Sequence, residues 1–507
     1  MSLNLATVLR EAAGRYPDRP ALIAGERTLA YREVDAAARR LAGSLAALGL
    51  ARGEHVALLL PNVPEFTVAY FACHLAGLVV VPLNVMLKAD EVAYHLLDSD
   101  SVALIVWHEL IEQLGDGPAR VPACRLRIVA GGAVSSHEGA HSFDVLVASG
   151  APVDELPDTA PDDTAVLLYT SGTTGQPKGA ELTHFNLMFN ADMAARVHAV
   201  DETSVALAVL PLFHSFGQTV IQNATFLRGG TVVLLPRFDV KAAFENIVRH
   251  RVTFFAGVPT MYFGLLHHSE AAHYDLSSLK ICASGGAPMP VDVMRRFDEN
   301  YGANILEGYG LSETSPLASV NPRERVKKPG SIGQPIWGVQ FRLVADDGRV
   351  IVEPAVPGEI HIKGHNVMKG YYKRPVATAE AIQGGWFRTG DVATRDDDGY
   401  YFIVDRKKDM VLSGGYNVYP REIEEVLYRH AAVGEAAVIG VPHEALGEVV
   451  VAVIALKPGA QAAAHEFVAF CKERLAAYKC PREVRFVEAL PKGPTGKILK
   501  RALRGNW

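Results

Sequence analysis

The chain has 507 residues, of which 49% are hydrophobic and 21% charged, which excludes a disordered protein and is enough for two or three lobes with cores of their own. A formal net charge of −6 excludes a global attraction to nucleic acid or to an anionic membrane, so any anionic ligand must be met by a local patch. The five cysteines, Cys73, Cys124, Cys282, Cys471 and Cys480, are scattered and never form CxxC, which argues against a disulfide framework and a zinc site and fits a reducing cytoplasm.

Near the N-terminus Arg10, Glu11, Arg15 and Asp18 interrupt the apolar residues, so the segment reads as neither a signal peptide nor an anchor. No apolar run reaches transmembrane length, and any membrane contact would be peripheral, through a local surface. Val34, Ala38, Leu41, Leu45 and Leu48 recur in steps of four and three, which predicts an amphipathic helix over 31–48. A buried strand is predicted at 55–60, a helix opened by Pro64 at 64–74 and a second strand at 78–83. Such alternation builds parallel sheets covered by helices, an α/β fold. Residues 151–163, rich in proline and acid, read as an exposed connector into a strand at 165–169, and a helix is predicted from His184. Further strands are predicted at 205–210, 231–235, 253–256 and 280–283. After Gly330 the texture turns to short alternating strands, clearest at 359–363 with Ile360 and Ile362 on one face, which predicts a β-rich sublobe. A strand at 400–404 then meets five consecutive charged residues, 405–409, predicted to be exposed as a surface loop or an interdomain hinge. Beyond them a helix at 420–429, strands at 437–441 and 448–456, a helix at 465–476 and a strand at 484–488 suffice for a small α/β domain. The predicted organisation is a large N-terminal domain over 1–404, a hinge at 405–409 and a C-terminal domain over 410–507.

The polar loop after the strand at 165–169 gathers Thr170, Ser171, Thr173 and Thr174 around Gly172 and Gly175, and Lys178 adds a mobile positive charge. Hydroxyls and backbone N–H groups can converge there on an anionic group without Cβ clashes, as a polyphosphate requires. It is not the common GxxxxGK[ST] phosphate loop, because Pro177 stands where that pattern needs glycine. A second signal is the small-residue turn Gly286, Ala287 and Pro288, where backbone can lie against a flat ring. A third is GYGLSET, residues 308–314, in which Tyr309 offers a stacking face and Glu313 a hard carboxylate for Mg²⁺.

The run YTSGTTGQPKGA resembles the phosphate-binding signature of the adenylate-forming (ANL) superfamily, which includes acyl-CoA synthetases, luciferases and the adenylation domains of peptide synthetases. GYGLSET resembles its aromatic-Gly-x-Thr-Glu motif, with Gly310 kept and Ser312 where threonine is usual. The resemblance extends over the whole chain and implies further roles. Asp391, in WFRTGD, would bind the ribose hydroxyls, and Arg406 would reach the ribose or phosphates. Lys408 would be the pivot of a mobile C-terminal domain, and Gly414, Gly415 and Tyr416 would line the tunnel of the thiol acceptor. Lys497, in PKGPTGK, would be the catalytic lysine, its ammonium stabilising the approach of a carboxylate to the α-phosphate of ATP. Lys178, Thr170 and Glu313 are expected to share the catalytic charge handling, with Thr170 and Glu313 also holding Mg²⁺.

The resemblance also places the acid. PLFHSFG carries His214 where amino-acid-activating relatives have an aspartate, and Gly308 stands where diacid-activating relatives have an arginine. An apolar slot of His214, Phe216, Gly217, Val258 and Gly308 is expected, with Gly308 leaving it open to a longer chain and His214 either a gate or a polar closure. The expected activity is an ATP-dependent acyl-CoA synthetase for a medium- or long-chain fatty acid, through an acyl-adenylate, with an aryl acid such as a cinnamate as the alternative. Ten residues follow Lys497, too few for a fused carrier domain, so the expected acceptor is free CoA or a separate carrier protein. Luciferase-type oxygenation or acyl-nucleotide sensing are the rival classes. The oligomeric state is left open, a homodimer among the options.

Overall fold

The structure, a computed structural model, describes residues 3–132, 139–170, 176–406, 409–413, 416–443, 447–493 and 496–504. Among these residues the strands form four sheets. One runs in the order Gly370–Tyr371, Lys178–Thr183, Thr164–Thr170, Val79–Pro82, His55–Leu59, Ser101–Trp107, Leu126–Ala130 and His141–Ser142, with Thr164–Thr170 parallel to the strand on its far side, Val79–Pro82. A second places Leu317–Val320, Asn304–Gly310, Ile281–Ser284, Phe254–Gly257, Val205–Ala208 and Thr231–Leu234 side by side, between the short edge strands Gln334–Pro335 and the Pro20–Ala24, Arg27–Ala30 hairpin. The crossover connections are helices, as parallel pairing demands. The Tyr31–Ala47 helix covers the predicted amphipathic stretch, burying Val34, Ala38, Leu41 and Leu45, and Glu33 accepts the Ala30 N–H at 2.7 Å to close its first turn.

The β-rich part predicted after Gly330 is a six-stranded, largely antiparallel sheet built on Val339–Val344, Gly358–Gly364, Trp386–Arg395 and Tyr401–Arg406. Ile360 and Ile362 lie in the core as read, but Glu359 and His361 on the opposite face are buried too. The fourth sheet joins Val411–Ser413, Tyr416–Val418, Val433–His443, Gly447–Leu456 and Glu483–Phe486. Buried apolar residues from Leu5 to Tyr401 and those from Val411 to Leu503 form separate clusters.

Four local expectations differ from what is found. The predicted strand at 437–441 is the middle of an eleven-residue strand, Val433–His443, and the helix expected to reach 476 ends at Lys472. Between the phosphate loop and His184 the chain forms the strand Lys178–Thr183, antiparallel to Thr164–Thr170, with Thr170 opposite Lys178. The charged run is not wholly exposed: Asp405 is 6% exposed, inside the strand Tyr401–Arg406, and accepts the Arg421 N–H at 3.1 Å. A carboxylate beneath the first turn of the Pro420–Tyr428 helix is compensated by unpaired N–H groups, which is why it tolerates burial.

Candidate active site

Ser171, Gly172, Thr173, Thr174 and Gly175 lie outside the described residues, but both ends of their loop are placed. Strand pairing sets Thr170 and Lys178 opposite each other, and Tyr371, on the edge strand Gly370–Tyr371, lies opposite Ala180. Thr170 Oγ1 donates to Glu313 Oε1 at 3.1 Å and the Tyr371 hydroxyl donates to the same oxygen at 3.0 Å. Burial and the Glu313 carboxylate both push the Tyr371 phenol up, so it stays a donor. Lys178 Nζ stands 5.3 Å from the centre of the Tyr371 ring, within cation–π range. The Glu313 carbonyl accepts the Met368 N–H at 2.9 Å, which fixes its turn, Ser312–Thr314, to the Tyr371 segment.

On the adjoining strand, Asn304–Gly310, the Tyr309 hydroxyl donates to Asp391 Oδ2 at 2.6 Å. Asp391 sits within the strand Trp386–Arg395, opposite Arg406, where Gly390 adopts φ +71° and the pairing slips. That left-handed residue re-aims the strand and presents its N–H to Glu359 Oε1 at 3.2 Å. Burial alone would raise the Glu359 carboxyl, but His361, Arg388 and the Gly390 N–H together hold it at about 2. Gly286 has a positive φ in the turn after Ile281–Ser284, and Ala287 and Pro288 follow before the helix Val291–Tyr301.

His214 precedes the π-helix Phe216–Asn223, and its Nδ1 accepts the Phe216 N–H at 3.3 Å, which leaves the neutral ring's proton on Nε2. Burial, and then the charge of Lys497, lower His214 to about 4, so it is neutral at physiological pH. Gly217 is packed against Pro211, whose carbonyl oxygen lies 2.3 Å from where a Cβ would stand. The same construction at Gly308 meets Ser319 O at 3.1 Å, Leu317 Cδ1 at 3.5 Å and Val320 Cγ2 at 3.6 Å. A side chain at this position would therefore lie against the antiparallel strand Leu317–Val320.

Lys497 closes a small hairpin in which Gly493 N–H donates to its carbonyl at 2.8 Å. Thr260 Oγ1 donates to the Gly496 carbonyl at 3.3 Å, and a Cβ at Gly496 would stand 2.9 Å from Val258 Cγ2. The predicted catalytic lysine thus comes from the far end of the chain to the same place as His214 and Val258. Lys500 pairs with Glu424 at 2.7 Å and Arg504 with Asp409 at 3.3 Å, so much of the basic tail is committed to holding its own segment together. Lys408, Gly414 and Gly415 lie outside the described residues; Tyr416 opens the strand Tyr416–Val418, and Arg406 closes Tyr401–Arg406.

The sequence reading missed Tyr371 and Glu359. Tyr371 is brought to Glu313 by strand pairing across about two hundred residues of chain, for which no local pattern exists. Glu359 carried a signal, since polar residues alternating with Ile360 and Ile362 on a strand flanked by others imply a second, buried polar face.

The sequence profile of the AMP-binding enzyme family matches residues 9–372, and that of the AMP-binding enzyme C-terminal domain matches residues 422–497. The chain belongs to the AMP-binding enzyme family. It is 38% identical over 531 aligned positions to a long-chain-fatty-acid–CoA ligase of Bacillus subtilis, covering 99% of this chain and 94% of that one. It is 41% identical over 499 positions to a feruloyl-CoA synthase of an Amycolatopsis species, covering 97% and 96%. Its structure resembles that of an anthranilate CoA ligase in complex with anthranoyl-AMP, with a TM-score of 0.94 at 29% identity over 100% of this chain and 97% of that one. Together these place the family member among the adenylate-forming acyl- and aryl-CoA ligases, AMP-forming enzymes that use ATP and CoA.

Proposed function

We propose that this AMP-binding family member activates an apolar acid with a single carboxylate, a medium- or long-chain fatty acid being the first reading. What supports an apolar acid is the chemistry of the residues expected to form the slot. Phe216 and Val258 border it beside a neutral His214, and Gly308 contributes no side chain that could pair a second charge. An ammonium or second carboxylate on the substrate would be desolvated there without a partner. A second reading, an aryl acid, is favoured by the 41% identity to a feruloyl-CoA synthase.

In this proposal residues 1–404 bind acid and ATP, 405–409 hinge, and 410–507 form a mobile domain that carries Lys497. Thr170, Lys178 and the hydroxyl-rich loop from Ser171 to Gly175 hold the phosphates. Gly286, Ala287, Pro288, Tyr309, Gly310 and Ser312 hold the adenine, and Asp391 and Arg406 the ribose. The oxygen pair Thr170 and Glu313 suits Mg²⁺, a hard cation that takes one or two protein oxygens and completes its shell with phosphate and water. Lys497 then stabilises the transition state as the carboxylate oxygen attacks the α-phosphorus and pyrophosphate leaves. Rotation about Lys408 withdraws Lys497 and brings the Gly414, Gly415, Tyr416 segment to the adenylate for attack by the CoA thiol, releasing AMP.

The test is ATP-dependent pyrophosphate release across acids from acetate to palmitate, with ferulate, benzoate and malonate, each with and without CoA. A maximum among apolar monoacids, raised by CoA, is expected, and the preferred member separates fatty from aryl. Preference for malonate would overturn the slot reading, and indifference to CoA would point to a separate carrier protein as acceptor.

A further inference from the structure

Arg421 stands in the first turn of the helix Pro420–Tyr428, on the C-terminal side of the proposed hinge, yet its guanidinium is spent on the other side. Nη1 donates to the Ile403 carbonyl at 2.8 Å and Nη2 to the Gly330 carbonyl at 3.4 Å. Its backbone N–H holds Asp405, the first residue of the charged run. The residue is only 7% exposed, so these acceptors replace water around a permanent charge. Its own helix offers Glu425, no nearer than 4.0 Å from Nε.

The charge of the guanidinium also reaches a buried carboxylate, that of Glu307. Glu307 immediately precedes Gly308 and Tyr309 on the strand Asn304–Gly310 and is 1% exposed. Its Oε1 accepts the Met289 N–H at 3.0 Å, while Oε2 has no hydrogen-bond partner among the described residues. The positive charge felt by Glu307 is that of Arg421, opposed weakly by Glu425. One buried arginine therefore links three things: the start of the hinge, two carbonyls of the large domain, and the carboxylate behind the strand that carries Tyr309.

We propose that Arg421 is a positioning residue for the first half-reaction, a latch that holds the C-terminal domain in the arrangement with Lys497 at His214 and Val258. The inference rests on the two-arrangement reading above and adds a residue to it. Any turn about 405–409 that carries Lys497 away must lift Arg421 from the Ile403 and Gly330 carbonyls and leave Glu307 without its cation. The latch favours adenylation, and its release belongs to the passage to thiolysis. Neither contact is needed once the adenylate has formed.

The test measures the two halves separately in full-length protein, with decanoate for pyrophosphate release and supplied decanoyl-AMP for thiolysis by CoA, or ferulate and its adenylate should the panel favour aryl acids. Arg421→Met is expected to slow pyrophosphate release about tenfold or more while thiolysis stays within about twofold of the original or rises. Arg421→Lys, which keeps the charge but loses the two-pronged contact, should recover part of the loss. Equal losses in both halves, or no change in either, would overturn the latch. Should Arg421→Met fail to fold, the same ratio in Arg421→Lys decides. Lys497→Ala run alongside separates the two failures. If it too loses both halves equally, the two-arrangement reading falls and the latch with it; if it separates the halves and the Arg421 variants do not, the latch alone falls.

Discussion

Gly496 offers a way to disturb the docked arrangement without touching a charged group. It sits at φ +76°, next to Lys497, and a Cβ there would stand 2.9 Å from Val258 Cγ2 and 3.1 Å from Thr260 Oγ1. Gly496→Ala therefore acts in two separable ways. The left-handed backbone costs an alanine about 1 kcal/mol, a cost the loop carries in every arrangement that keeps its local shape. The collision with Val258 and Thr260 exists only while the loop is docked, and overpacking of this kind costs about 1–3 kcal/mol. Only the second contribution distinguishes the halves of the reaction, so pyrophosphate release should slow roughly 5- to 150-fold while thiolysis of supplied acyl-AMP is unchanged. Gly459→Ala is the matched control, with φ +77° in the same C-terminal segment and no atom within 4 Å of the added Cβ. It should leave the ratio of the two rates where it was. Equal loss in both halves for Gly496→Ala, or a shift in the ratio for Gly459→Ala, would refute the assignment of the docked loop to adenylation.

Lys497→Ala should slow pyrophosphate release by about a hundredfold or more and leave thiolysis largely intact, measured with the same pair of assays. Tyr309→Phe removes the 2.6 Å bond to Asp391 and should raise the KM for ATP about fivefold to tenfold with a smaller change in kcat; a pure kcat effect would place Asp391 away from the nucleotide. Glu307, pushed up to about 7 by burial, is harder to ionise in the native protein than in the unfolded chain, where its ordinary value is 4.5. Its contribution is therefore neutral below pH 4.5, turns unfavourable between 4.5 and 7, and is constant at about 3 kcal/mol above that. Glu307→Gln keeps an acceptor for the Met289 N–H and should raise the thermal midpoint at pH 8 but not at pH 4.5; an equal change at both would refute the buried-charge account. His214, lowered to about 4, should contribute no limb to the pH–rate profile between about pH 5 and 8, and replacing it with glutamine should leave the profile's shape unaltered in that window.

The sequence by itself determined the α/β alternation, the change to a β-rich texture after Gly330 and the positions of most motif residues. These are local properties. Apolar periodicity reports which face of a helix or strand is buried, and a loop of glycines and hydroxyls reports its chemistry without reference to the rest of the chain. Thr170, Glu313 and Tyr309 were legible in this way and Asp391 only through the family resemblance, and the structure adds that the four form two hydrogen-bonded pairs.

Tertiary structure decided what depends on distant chain. Tyr371 reaches Glu313 only because Gly370–Tyr371 pairs with Lys178–Thr183, and Lys497 reaches His214 only because its hairpin docks on Val258 and Thr260. Asp405 read as a surface charge and Arg421 drew no reading, since a sequence contains no sign that a helix N-terminus and two distant carbonyls will receive them. Gly308 shows the same limit from the other side. A missing side chain is visible in the sequence, but what a side chain there would touch depends on Ser319, Leu317 and Val320 on the neighbouring strand. Local composition sets which groups are available, whereas burial and partnership arise from packing between segments far apart in the chain.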